Sequence, residues 1–372
     1  MSGPALRLAL EIDGDGAHPA AWRRAAHSPD HLLTARRTAG VAAAAENAGF
    51  TLVTLEDGAL PPGGASDVVG RIGAVERAAF LAATTSVVGI APVVPVTYAE
   101  PFHVSSQLAS LDHISSGRAG WVVGDETAPE AARAWGRPPV EGAQARAREA
   151  ADGVDVGRAL WDSWEDDAVI RSVATSRYLD RERLHYVDFT GGSYSVKGPA
   201  IVPRPPQGQL VVIGRPGAVP ADRLDVALVG GPDLASVTAA AAAVRAQVPR
   251  VFAEVEVALD TADAPAEDRV ADLARHAPWA DAGRLRYTGS ATGLSALLGE
   301  LAGVVDGVRL HPLVLDEELP VLSRLVIPAL VERRLAVRPL PAATLRTHLG
   351  LERPANRYAT AVPSARQLGE IR

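Results

Sequence analysis

The chain has 372 residues, 37 basic and 44 acidic side chains, a formal net charge of −7 and 47% hydrophobic residues. This composition indicates a folded protein with a large core, and its scattered arginines form no basic stripe that would favour nucleic acid or an anionic membrane surface. Cysteine is absent and Lys197 is the only lysine, which excludes disulfides, thiolate metal ligands, cysteine nucleophiles and a P-loop lysine.

The first half of the chain alternates between strand-like and helix-like patterns. The opening apolar run is too short for a signal peptide, and no stretch approaches the roughly 20 apolar residues of a membrane span, so we expect a cytoplasmic protein. Short apolar runs predict strands at residues 6–12, 51–56, 86–92 and 118–124. Amphipathic stretches predict helices at 30–48 and 67–84, with Asp30 and Asp67 as helix caps.

The second half continues the same alternation after one interruption. A helix is predicted at 140–164, but residues 171–209 are rich in glycine, proline and aromatic residues without a period, which indicates an insertion or lid. Strands are then predicted at 210–214, 225–230, 251–259 and 306–312, and helices at 233–246, 266–277 and 292–304. A final helix at 319–333 precedes a polar C-terminal tail at 340–372.

Eight strands that mostly alternate with helices favour a single-domain α/β protein, a (βα)8 TIM barrel over residues 1–372. An open sheet is disfavoured because no Gly-rich fingerprint follows the first strand. Chemistry in such barrels lies at the carboxyl ends of the strands. That rule selects Asp57 after strand two, Thr97 to His103 after strand three and Asp125 with Glu126 after strand four. It also selects Arg215 to Gly217 after strand five and His311 at the end of strand eight.

Five separated motifs carry a resemblance to a known family. They are YAEPFHVSSQLASLDHISSGRAGW at 98–121, GAHPAAWR at 16–23, LWDSWEDDAV at 160–169, GGSYSVKGPAIVPRPPQG at 191–208 and TLRTHLGLERPANRY at 344–358. In their order along the chain, these motifs resemble the luciferase-like flavin-dependent monooxygenases, in the branch of nitrilotriacetate and dibenzothiophene-sulfone monooxygenases. The resemblance implies a barrel that uses reduced FMN, supplied by a separate flavin reductase, to insert one oxygen atom of O2 into a small organic substrate. It also implies a homodimer or tetramer.

The resemblance assigns roles to a few residues. Asp57 and Thr97 match positions that line or contact the flavin, and Arg215 with Gly217 lies in the loop that receives its phosphate. His18 and Trp22 lie in the loop that lines the substrate pocket in relatives, although Trp22 could equally be packing. No catalytic residue is assigned, and no metal site is expected because histidines at metal spacing are absent.

Four positions depart from the family pattern. Ala143 and Ala147 replace a histidine and a tyrosine, Val122 replaces an asparagine, and Pro216 removes a backbone donor from the phosphate loop. Arg215 is our candidate to compensate, through a charge-assisted contact to the phosphate. Two alternatives stay open: a non-catalytic paralogue with a degraded flavin site, and a barrel that uses a different flavin or deazaflavin.

The longest motif also contains an acid–base candidate. Asp112 and His113 with Arg118 could act near the flavin, or they could form a helix end in which Asp112 accepts bonds from backbone and from Arg118. Gly117 would supply the left-handed stop and Pro101 the first helical residue. The structural interpretation is favoured.

Overall fold

Eight parallel strands close into a barrel in the computed structural model, which describes residues 5–60 and 70–359. Their order around the barrel is β1-β2-β3-β4-β9-β10-β11-β13, and β1 pairs with β13 to close it. All eight predicted strands are present, so the predicted TIM barrel is confirmed. The barrel strands are β1 Arg7–Glu11, β2 Leu52–Leu55, β3 Gly89–Pro95, β4 Gly120–Gly124, β9 Val211–Gly214, β10 Val226–Val229, β11 Arg250–Leu259 and β13 Gly307–Pro312.

One strand of the main sheet was not predicted. β12, Leu285–Gly289, pairs with the carboxyl half of β11, whereas β10 pairs with the amino half of the same strand. β11 has ten residues, so it is long enough to pair with both β10 and β12 along one edge. β12 therefore lies outside the ring of eight and extends the wall of the barrel mouth.

Helices cover the outside of the barrel. In the described part of the chain, none of them has the length and apolarity needed to cross a membrane. The α-helices are α1 Ala35–Ala48, α2 Ala74–Thr84, α3 Pro101–Ile114, α4 Pro129–Ala134, α5 Ala143–Asp162, α6 Leu234–Val244, α7 Ala266–Ala274, α8 Ala291–Leu301, α9 Leu315–Val321, α10 Ile327–Glu332 and α11 Leu345–Leu349.

The observed helix caps differ from the predicted ones. Asp233, which was not predicted as a cap, accepts the backbone N–H of Ser236 at 2.7 Å at the start of α6. Asp30 does not begin α1, because residues 29–33 form a 3-10 turn and Thr34 caps the helix instead. Asp67 lies outside the described residues.

The lower half of the barrel is closed by the C-terminal segment. Leu345 and Leu349 of α11 are fully buried and pack against Leu52 and Phe252 inside the barrel. A side chain at Gly89 would meet Leu345, because the two approach closely. Residues 345–349 of the predicted polar tail are therefore a buried helix, because the apolar residues of α11 seal the amino ends of the strands.

The insertion at 171–209 forms two small hairpins along α5. They consist of β5 Val169–Ser172 with β6 Arg177–Leu179, and β7 Phe189–Thr190 with β8 Ser195–Val196. Their apolar residues pack against Val156 and Leu160 of α5. No residue of this described segment lines the cavities at the barrel mouth presented below. Its action as a lid stays a prediction.

Candidate functional site

A buried arginine lies at the centre of the barrel mouth. Arg309 on β13 is 3% exposed and donates from Nε to Thr54 at 2.9 Å. Its Nη2 contacts Glu11 and, at 3.0 Å, Glu56, while its Nη1 contacts Glu254 at 3.3 Å. One guanidinium thus joins carboxylates from β1, the end of β2 and β11. We call this set the Arg309 cluster.

Burial and ion pairing set the protonation states in this cluster. Burial raises the pKa of Glu11 to about 7, against the opposing charge of Arg309. Burial acts in the same direction on Glu254, but the hydrogen bond with His311 and the charges of Arg309 and Arg215 hold its pKa well below the usual range. Burial and the charge of Arg309 lower the pKa of His311 to about 3. Glu254 is therefore ionised and His311 neutral near pH 7.

Above the cluster lies an open space that we call the Arg215 cavity. It has a volume of about 390 Å³ and is bounded by the carboxyl ends of β2, β3, β4, β9 and β10. Apolar side chains and charged side chains both face it, so it could hold a molecule with an apolar body and a charged end. The residues that define it include Asp57, Val93, Val122, Asp125, Glu126, Arg215, Leu228, Arg284 and Arg309.

Arg215 stands at the rim of this cavity. Its Nε donates to Glu254 at 2.6 Å, and its side chain is 47% exposed. Neither Nη nitrogen has a hydrogen-bond partner among the described residues. Glu254 therefore fixes the orientation of the guanidinium and leaves its outer N–H groups available for a ligand.

The loop after β9 offers no other donors in residues 216–219. Pro216 has no N–H, and the N–H of Gly217 donates to the carbonyl of Val219 at 3.2 Å. The N–H groups of Ala218 and Val219 both donate to the carbonyl of Arg215. Gly217 has φ of 96°, the left-handed conformation that this tight turn requires. Gly217 thus shapes the turn around Arg215, and its contact with a flavin phosphate stays a prediction.

Asp57 and Thr97 have different surroundings. Asp57 borders the Arg215 cavity, but its oxygens accept the backbone N–H groups of Gly58 at 2.9 Å and of Ala74 at 2.5 Å. It therefore fixes the start of α2. Thr97 is 1% exposed and does not line the Arg215 cavity, although it follows β3 as expected. Direct contact of Thr97 with a ligand stays a prediction.

His18 and Trp22 border a separate cavity, the His18 cavity, of about 360 Å³ between the loop after β1 and α1. The N–H of Ala20 donates to Nδ1 of His18 at 3.0 Å, and burial lowers the pKa of His18. The ring is therefore neutral and carries its hydrogen on Nε2. Nε2 is buried without a partner among the described residues, as is Nε1 of Trp22. Contact of His18 and Trp22 with a substrate stays a prediction.

The four departures from the family pattern are also visible. Val122 lines the Arg215 cavity with an apolar side chain. Ala143 is exposed at the first turn of α5, and Ala147 is half-buried one turn later. Neither alanine lines the Arg215 cavity. α5 therefore contributes no polar side chain to the cavity from these two positions.

The acid–base candidate in the longest motif is structural. Asp112 is fully buried and accepts from Gln207 Nε2 at 2.6 Å and from the N–H of Ala119 at 3.3 Å. The expected contact between Arg118 and Asp112 is absent among the described residues. Arg118 donates instead to the carbonyls of Ala82 and Val88, each at 2.8 Å. The left-handed residue directly after the helix cap is Ser116, with φ of 56°, and Gly117, the predicted stop, follows it with φ of 86°.

Of the central residues of the mouth, only His311 was selected from the sequence. Glu254 and Glu256 lie at alternate positions of β11, and Arg309 and His311 at alternate positions of β13. Alternate residues of a strand face the same side, so each pair points into the barrel. Charged residues repeated with period two inside apolar strands were the signal that would have identified them. Among the described residues, no group of three or more histidine and carboxylate side chains could hold a metal ion.

Comparisons with known proteins agree on one family. The sequence profile described as "Luciferase-like monooxygenase" matches residues 16–300. N-acetyl-S-(2-succino)cysteine monooxygenase of Bacillus subtilis (strain 168) is 35% identical over 210 residues, which are 56% of this chain and 47% of that protein. Dibenzothiophene-sulfone monooxygenase of Rhodococcus erythropolis is 32% identical over 204 residues, 52% of this chain and 45% of that one.

This chain thus spans about half the length of these curated relatives. Among solved structures, the crystal structure of riboflavin lyase with modified FMN and the substrate riboflavin has a TM-score of 0.80 at 22% identity. The match covers 95% of this chain and 97% of that one. At this identity the likeness concerns the fold alone.

Proposed function

The chain belongs to the luciferase-like monooxygenase family, and from this premise we propose that it is a reduced-FMN-dependent monooxygenase acting on a small organic substrate. In this proposal one oxygen atom of O2 is inserted into the substrate. A separate flavin reductase as transient partner, assembly into a homodimer or tetramer and a cytoplasmic location stay predictions from the resemblance. The observation that carries the proposal is the half-exposed guanidinium of Arg215 at the rim of the Arg215 cavity.

The donor set at this rim fits a flavin phosphate held by a side chain. A phosphate monoester carries close to two negative charges at pH 7 and accepts several hydrogen bonds. Both Nη nitrogens of Arg215 are without partners among the described residues, and Glu254 holds the guanidinium from behind. The backbone of the same loop makes only internal hydrogen bonds. Arg215 would therefore be the main phosphate anchor, in place of a backbone loop.

The remaining walls define what the chain contributes to the reaction. When bound, reduced flavin supplies the electrons that activate dioxygen. Val93, Val122 and Leu228 face the same cavity and would exclude water from a ring bound against them. Arg309 lines the cavity and is held by Glu254, so its fixed charge needs no rearrangement during a reaction. The neutral Nε2 of His18 offers a proton-bearing donor in the neighbouring His18 cavity.

A second candidate function is a non-catalytic member of the family. It is supported by the loop after β9, which has no free backbone donor among residues 216–219, and by Asp125 and Glu126 at the cavity rim. These carboxylates would repel a phosphate. Val122 adds to this support, because its apolar side chain gives the cavity wall no hydrogen bond for a flavin ring.

Anaerobic titration with reduced FMN separates the two candidates. The monooxygenase proposal predicts saturable binding at low micromolar flavin, followed by a changed rate of flavin reoxidation when oxygen is admitted. The reference is the same amount of free reduced FMN. Absence of binding at high micromolar FMN would contradict the monooxygenase and support the non-catalytic alternative. Binding of a deazaflavin in place of FMN would support the remaining alternative, a barrel that uses a different flavin or deazaflavin.

A further inference from the structure

A third space at the barrel mouth, which we call the Tyr98 cavity, has a volume of about 380 Å³. It lies between the first turns of α3, the loop after β2 and Trp135, which follows α4. Pro95 and Glu126 border both this cavity and the Arg215 cavity, so the two are direct neighbours. A molecule in the Tyr98 cavity would therefore adjoin one bound beside Arg215.

Aromatic and aliphatic groups form the body of this cavity. Tyr98 is 6% exposed, its hydroxyl accepts the N–H of Val140 at 3.0 Å, and the guanidinium of Arg137 lies 5.7 Å from its ring centre. These contacts fix one wall. Trp135 is 52% exposed and forms the outer wall, and Val104 is buried at the base. The size and apolar walls suit a ring-sized organic molecule.

Two polar side chains on α3 reach the same cavity. His103 and Gln107 are one helical turn apart, so they lie on one face of the helix, and both border the cavity. Neither side chain makes a hydrogen bond to another residue in the described part of the chain. The amide of Gln107 can donate and accept, which suits a hydroxyl, amine or carbonyl group.

The acidic and basic side chains that border this cavity among the described residues have one sign of charge; Arg137, which contacts the ring of Tyr98, does not border it. The carboxylates of Asp57, Glu76, Glu100 and Glu126 border it, and no lysine or arginine of residues 5–60 and 70–359 does. Glu100 accepts the N–H groups of Phe102 at 3.1 Å and His103 at 2.6 Å, so it is fixed as the cap of α3. A cavity lined by one sign of charge repels ligands of that sign.

We propose that the Tyr98 cavity binds a neutral or positively charged, largely apolar small molecule, held by Gln107 and enclosed by Tyr98 and Trp135, and that it rejects anions. This inference rests on the proposed function only in naming that molecule as the organic substrate. It favours an alcohol, amine or neutral carbonyl compound over a carboxylate. The binding itself needs no flavin.

The test uses three matched probes without flavin. Benzyl alcohol, benzylamine and benzoate share one ring and differ in charge, and their binding is measured by ligand-observed NMR and calorimetry on the full chain. We expect the alcohol and the amine to bind and benzoate to bind at least about tenfold more weakly. Equal binding of benzoate, or no binding of any probe, would overturn the proposal.

Three variants locate the site. Gln107→Leu removes a side chain without a partner in the described chain and should weaken benzyl alcohol binding about three- to tenfold, the usual effect of one hydrogen bond. Ala99→Leu adds bulk at the wall of the cavity and should weaken all binding. Leu33→Trp is the control, because Leu33 is 38% exposed and lines the His18 cavity instead.

These results separate the inference from the proposed function. If Leu33→Trp lost probe binding and Gln107→Leu bound the probes as tightly as the parent, the probes would be assigned to the His18 cavity. That result would contradict the inference. Probe binding as expected, together with no binding of reduced FMN, would support the Tyr98 cavity and contradict the monooxygenase. Binding of reduced FMN without any probe binding would support the monooxygenase and contradict the inference about the Tyr98 cavity.

Discussion

Arg215 donates a hydrogen bond at 2.6 Å to Glu254, and this contact links the loop after β9 to a buried carboxylate on β11. Glu254 also accepts from Arg309 at 3.3 Å and contacts His311 at 3.2 Å. One carboxylate therefore positions the proposed phosphate anchor and ties it to the Arg309 cluster. Binding at the rim and stability of the mouth are coupled through this residue.

Removal of the central guanidinium should destabilise the protein strongly. Arg309→Leu leaves Glu11, Glu56 and Glu254 without their shared partner, and loss of one member of a buried ion pair costs about 3–5 kcal/mol. Denaturant unfolding measures the free-energy change. Arg245→Leu is the control, because Arg245 pairs with Asp306 at the surface with 40% exposure and should cost about 1 kcal/mol or less. Equal costs for both variants would contradict this account of the cluster.

Asp112 should make stability depend on pH in a defined direction. Burial raises its pKa from 3.8 to about 6, so the folded state holds this proton more tightly than the unfolded state. The resulting stabilisation is complete below pH 3.8 and is lost as the pH rises through about 6. By this linkage the loss is up to about 3 kcal/mol.

Asp112→Asn isolates this contribution, because asparagine keeps an acceptor oxygen but does not titrate. The free energies of unfolding of the parent and the variant are compared at pH 4 and pH 7 by urea titration. We expect the parent to lose stability relative to the variant over this interval. A difference that does not change with pH would show that Asp112 titrates normally in the folded protein.

The C-terminal helix α11 should contribute directly to barrel stability. Leu345 is fully buried against the barrel interior, so Leu345→Ala should cost about 2–5 kcal/mol of unfolding free energy. Leu340→Ala is the matched control, since Leu340 is 65% exposed and should change stability by less than about 0.5 kcal/mol. Similar effects of the two substitutions in guanidinium unfolding would argue against α11 as a plug.

Much of the fold was predictable because its strands are short, apolar and separated by helices. β12 was missed because its sequence LRYTG is only partly buried and pairs with just the carboxyl half of β11. The end of the chain was misjudged for a different reason. The two leucines of α11 are a weak local pattern, and only the open amino end of the barrel gives them a place to pack.

The site was predictable only in part. Asp57 and Arg215 were found because they follow strands, and both border the Arg215 cavity. The partner of Arg215 was not predictable, because Glu254 is 39 residues away and only barrel closure brings the two together. Arg118 shows the same limit, since its Nη2 donates to the carbonyls of Ala82 and Thr85, more than 30 residues distant, rather than to the nearby Asp112.

The most direct test of the central claim compares reduced FMN with reduced riboflavin, which lacks the phosphate, in anaerobic titrations of the parent and of Arg215→Ala. Arg223→Ala serves as control, because Arg223 has 36% exposure and pairs with Asp155 on the outer surface. We predict that the parent and Arg223→Ala bind FMN at least about tenfold more tightly than riboflavin, as a charge-assisted contact of about 1.5–3 kcal/mol allows, and that Arg215→Ala loses this preference. An unchanged preference for FMN in Arg215→Ala would contradict the assignment of Arg215 as the phosphate anchor.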